Sequence, residues 1–136
     1  MNSLLKRGYL LSRLLFAVVF SLISVSVQSA EIDVLMTKEL AGIPDKTGLM
    51  LTVEYAPGES SAQHRHNAHT FVYVLEGSVV MGVEGRDPVT LKAGETFYES
   101  PDDIHNVSRN ASDTEPAKIH VFLIKKSKAP AIVPLN

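Results

Sequence analysis

The chain has 136 residues, with 13 basic and 15 acidic side chains and a formal charge of −2, a balance that offers no basic surface to nucleic acid. It contains no cysteine, which excludes a disulfide framework, thiolate metal ligands and a thiol nucleophile. Any metal must be held by histidine, carboxylate or water.

Residues 1–30 have the form of an export signal. Lys6, Arg7 and Arg13 make a positive start, Leu14 to Val27 is apolar with interspersed serines, and Val27-Gln28-Ser29-Ala30 ends in small residues. The apolar core of 14 residues is shorter than a membrane span requires. Cleavage after Ser29 or Ala30 is therefore expected, giving a periplasmic or secreted protein with no stable membrane insertion. Loss of those three cations leaves ten basic against fifteen acidic residues, about −5. The remaining 106 residues suffice for one domain with one core.

Turn signals then recur every eight or so residues: Gly42-Ile43-Pro44-Asp45, Pro57-Gly58, Glu76-Gly77, Gly85-Arg86-Asp87-Pro88, Ala93-Gly94-Glu95 and Ser100-Pro101-Asp102-Asp103. That spacing predicts an all-β sandwich or barrel. Strands are expected near Ile32–Met36, Leu49–Tyr55, Ala62–His66, Thr70–Leu75, Ser78–Val83, Val89–Leu91, Thr96–Glu99, Ile104–Ser108 and Lys118–Lys125. The organisation is an N-terminal strand and loop over 31–48, a barrel over 49–126 and a tail over 127–136, lying on the surface or swapped onto a partner.

Chemistry concentrates in His64-Arg65-His66-Asn67-Ala68-His69-Thr70. On an extended strand, residues i and i+2 project from one face about 7 Å apart, so His64 and His66 can converge on one ion. A helix would turn them roughly 200° apart. Neutral imidazole is the commonest metal ligand.

Gly58, His64-x-His66, Thr70 and Gly77, followed by Gly94, Ser100-Pro101-Asp102-Asp103-Ile104-His105 and Asn110, resemble the two motifs of the cupins. The likeness is to small single-domain bacterial cupins of the quercetin-dioxygenase-like kind. It implies a double-stranded β-helix, a jelly-roll-like barrel over 49–126, with a metal bound by His64, His66 and His105, and it implies a homodimer. The sequence departs at Thr70, where enzymatic cupins usually have a glutamate ligand, and at Ser100 and Asp102, usually proline and glycine. Three neutral imidazoles would leave a divalent ion its full charge, and Thr70→Glu is expected to tighten a hard ion such as manganese. His69 is a candidate fourth ligand, although strand parity turns it outward if Thr70 faces in. Thr70, Tyr73 and Tyr98 are candidate pocket residues. His120, alone on an apolar strand, reads as a hydrogen-bonded barrel residue.

One divalent transition metal is thus expected, with imidazole suiting iron, copper, nickel, manganese or zinc. Two functional readings stand. One is metal-dependent, dioxygenase-like chemistry on a small molecule such as an enol, phenol or diketone. The other is a non-catalytic module that binds a metal or a small ligand.

Overall fold

The computed structural model describes residues 30–135. The expected export signal, apart from Ala30, lies outside the described residues. Within them the chain is all β, with no helix and therefore none long and apolar enough to cross a membrane. Its strands are β1 (Glu31–Glu39), β2 (Lys46–Tyr55), β3 (His64–Arg65), β4 (His69–Glu76), β5 (Ser78–Val83), β6 (Val89–Lys92), β7 (Thr96–Glu99), β8 (His105–Asn110), β9 (Ala117–Lys126) and β10 (Val133–Pro134).

Two five-stranded antiparallel sheets face each other. One has the order β1-β2-β9-β4-β7, the other β10-β3-β8-β5-β6. Side chains alternate across each strand, so one face can be apolar and the other polar. In β9, Ala117, Ile119, Val121 and Leu123 are buried while the residues between them are half-exposed. In β4, Thr70, Val72 and Val74 point in, and His69, Phe71, Tyr73 and Leu75 point out. With Leu49, Leu51 and Val53 of β2 and Val79 and Met81 of β5, these inward rows make the core. Each fully buried aliphatic side chain contributes about 1.5–3 kcal/mol to keeping the sheets together.

Two backbone conformations set the path of the chain near the first motif. Asn67 takes φ 48°, a left-handed conformation that asparagine tolerates, where the chain leaves β3 in one sheet and enters β4 in the other. Gly77 takes φ 69° in the turn from β4 to β5, and a Cβ there would lie 2.5 Å from the carbonyl oxygen of Pro116. No side chain fits that approach. The turn at Ser100 needs no such freedom: Asp103 Oδ2 accepts the Ser100 N–H at 2.8 Å and an Arg86 Nη2–H at 2.7 Å. Asp102 has no positive φ, so the aspartate in place of glycine costs nothing there.

Of the two placements expected for the tail, the structure shows the one on its own barrel. Residues 127–135 fold back on their own barrel, and β10 pairs with β3, Val133 opposite Arg65 and Pro134 opposite His64. Buried Lys125 secures the turn, with Nζ donating to the carbonyls of Lys126, Ser127 and Ala129 at 3.2, 3.3 and 2.7 Å. The tail is thus an edge strand of the second sheet.

Candidate metal centre

Register builds the site. His64 in β3 lies directly opposite His105 in β8, so both imidazoles leave the same face of one sheet at adjacent positions. His66 follows two residues later on that face. The three rings stand 4.7, 5.1 and 6.2 Å apart between centroids, and each offers a nitrogen within 4.8 Å of the others.

Hydrogen bonds fix two of the rings. His64 Nδ1 donates to the carbonyl of Ala62 at 2.7 Å, and His66 Nδ1 donates to the carbonyl of Ala131 at 2.7 Å. A carbonyl only accepts, so both Nδ1 atoms carry a proton, and in the neutral rings both Nε2 atoms carry a lone pair. Those two Nε2 atoms face each other at 3.2 Å. Two lone pairs so placed repel unless a cation lies between them. A metal with ligand bonds of about 2.1 Å spaces neighbouring nitrogens by roughly 3.0–3.4 Å, which the pair matches. Neither ring nitrogen of His105 has a hydrogen-bond partner. Burial, then the neighbouring His64 and His66, push its pKa down to about 4, and burial also lowers that of His66. Both are held neutral, the form that binds metal. These donors fit a divalent transition ion.

The structure adds a carboxylate that sequence reasoning missed. Glu99, at the end of β7, is 2% exposed and points into the barrel. Its Oε1 lies 3.2 Å from His105 Nδ1 and its Oε2 lies 3.8 Å from His66 Nε2. Burial, and then the charge of Asp103, raise its pKa to about 7, while Arg86 pulls the other way. The three histidines are the residues whose donor atoms cluster together, and Glu99 stands beside two of them. A usable signal was present: Phe97 and Glu99 share one strand face, opposite Tyr98.

The remaining candidates divide by parity. Thr70 is completely buried and lines the cavity, with Oγ1 lacking a partner. His69 points outward and its Nδ1 meets Tyr98 Oη at 2.7 Å, so it does not join the histidine cluster. Tyr73 and Tyr98 are also outside, where with Phe71, Phe122 and His120 they line a shallow groove on the first sheet. The cause is the alternation that turns Thr70 inward. His120 lies on this outer face rather than in the barrel.

Beside the histidines is a cavity of about 60 Å³ lined by Leu51, Val53, Met81, Ile119, Val121 and Leu123. Its polar floor is Tyr55, whose hydroxyl bonds Ser108 Oγ at 2.6 Å and Ser61 Oγ at 3.2 Å. Ala30, Ile32, Ala131 and Ile132 also line it. Asn110 of the second motif is a latch rather than a pocket residue: its Nδ2 donates to the carbonyls of Tyr55, Ala56 and Glu115, and its Oδ1 accepts the Ser112 N–H.

A cupin-domain family profile matches residues 51–123, more than half of the chain. The chain belongs to the cupin family. Solved structures agree in fold. A conserved protein with a double-stranded β-helix domain from Klebsiella pneumoniae is 19% identical over 78% of this cupin and 85% of its own chain, with a TM-score of 0.59. The DMSP lyase DddQ from Ruegeria pomeroyi is 20% identical over 77% of this cupin and 51% of its own chain, with a TM-score of 0.62. An oxalate oxidase in complex with the substrate analogue glycolate is 26% identical over 63% of this cupin and 45% of its own chain, with a TM-score of 0.55. The cupin thus spans about half the length of the lyase and the oxidase. No curated protein matches it.

Proposed function

We propose that this cupin is exported, holds one divalent transition metal through His64, His66 and His105, and carries out dioxygenase-like chemistry on a small organic molecule. The observation that carries the reading is the pair of Nε2 lone pairs converging at 3.2 Å while both Nδ1 atoms are tied to carbonyls. A metal held there supplies Lewis acidity and, for a redox-active ion, oxygen activation. The chain's own residues would select the substrate: the unpartnered Thr70 hydroxyl offers a hydrogen bond at the metal end, and aliphatic walls favour a short apolar remainder. The mostly aliphatic lining suits a small apolar enol or β-diketone. Small substrates are also the business of two structural neighbours, one named for DMSP and one holding glycolate.

Export is supported by Lys6, Arg7 and Arg13 ahead of a short apolar core and small residues. It is tested by mass spectrometry of native protein, where an intact Met1 terminus in the membrane fraction would refute cleavage. Pairing of two copies is supported by the exposed apolar residues Phe71, Tyr73 and Tyr98 on the first sheet, and light scattering on purified protein tests it.

The function itself is tested by oxygen uptake. Iron(II)-loaded protein given a five-carbon β-diketone should consume oxygen, and His64→Ala should lose that turnover. Equal uptake by the two proteins would refute the catalytic reading. Saturable binding without turnover would convert the protein into a binding module.

A further inference from the structure

Thr70, at the position where the motif usually carries a carboxylate, faces a glutamate across the sheet. In the β4–β7 ladder Thr70 and Glu99 are directly opposed. Cβ atoms of such a pair lie about 4.5–5.5 Å apart on one face of the sheet, so a side chain as long as glutamate can reach the same volume from either position. Threonine at 70 leaves that volume open.

Glu99 is an unsatisfied buried acid. It is buried, its Oε1 has no hydrogen-bond partner, and among the described residues the groups within ion-pair distance are the two imidazoles of His66 and His105. No lysine or arginine among the described residues pairs with it. Arg86 is already bonded to Asp103, and Asp103 in turn to the Ser100 N–H. A buried carboxylate without a cation is costly. Its Oε2 lies 3.8 Å from the same His66 Nε2 that carries a ligand lone pair. We infer that Glu99 is the anionic donor of this metal centre, supplied from β7 in exchange for Thr70 on β4. The inference rests on the metal-binding reading of the three histidines.

Cobalt(II) is the probe, with stoichiometry, affinity by competition against a chelator, and the visible absorption spectrum as readouts. Wild type should bind one equivalent; failure there would remove the metal reading itself. Given that binding, the nearly isosteric Glu99→Gln should weaken cobalt by more than about 100-fold, beyond the range for a group that only orients a ligand, and should alter the spectrum. Returning the carboxylate, Thr70→Glu combined with Glu99→Thr, should recover affinity to within about tenfold of wild type, whereas Glu99→Thr alone stays weak. Wild-type affinity and spectrum in Glu99→Gln would overturn the inference. So would a loss of about 10–100-fold with an unchanged spectrum, which would make Glu99 a partner of His105 alone. If the double variant does not fold, Glu99→Gln decides.

Discussion

At the scale of single residues, the cross-strand position of Glu99 reverses one expectation drawn from the sequence. Adding a carboxylate at 70 was reason to expect tighter metal binding. With Glu99 opposite, Thr70→Glu places two acids in one volume, where like charges raise a pKa and crowd the barrel. Competitive titration should show no gain in manganese affinity for this single variant. Titration of the metal-free protein follows from the same groups. Glu99 has its pKa raised from 4.5 to about 7, so its protonated form stabilises the fold below pH 4.5 and that contribution is lost as pH rises through 7. His105 has its pKa lowered from 6.5 to about 4, so its contribution is present above pH 6.5 and is lost as pH falls through 4. The two slopes oppose each other between pH 4.5 and 6.5. Urea midpoints of Glu99→Gln should therefore rise with pH across that window more steeply than those of wild type, and parallel profiles would show that the carboxyl does not titrate there.

At the scale of elements, the long strands were readable because their patterns are local. β4 and β9 are runs rich in β-branched and aromatic residues whose burial alternates from one position to the next, and parity sets His69 on the face opposite Thr70. The carboxylate was readable only in part: parity sets Glu99 on the face of Phe97, but only the β4–β7 register sets it against Thr70. Tyr98 was misplaced for a local reason, the alternation that sets it on the face opposite Phe97 and Glu99. The tail was unreadable because a two-residue strand carrying a proline has no pattern of its own. Yet the tail supports the site, since Ala131 lends the carbonyl that fixes the ring of His66. Deleting residues 128–136 should leave β-rich circular dichroism but weaken cobalt binding by about 10–100-fold, the range for loss of a partner behind a ligand. Unchanged affinity would mean that His66 orients itself.

For the molecule as a whole, the histidines and Glu99 come from different sheets. His64 and His105 belong to the sheet of β3 and β8, Glu99 to that of β7. An ion held by both would tie the two layers across the core, so binding should be felt as global stability. At a free concentration of about 100 times Kd a ligand adds about 2.7 kcal/mol, which for a domain of this size is roughly 10 °C or more in Tm. Calorimetry with cobalt(II) should show that rise in wild type and its absence in His105→Ala.

The bond from His66 to Ala131 has a further consequence for how this protein tolerates change. Its acceptor is a main-chain oxygen, which every amino acid supplies. Side-chain scanning of the tail would pass over it, since Ala131→Ser or Ala131→Val keeps the carbonyl. A one-residue deletion between Ser127 and Ile132 would shift the carbonyls past His66 and present a different one, or none. Among natural variants of this chain, the exposed residues of the tail should vary while its length stays fixed.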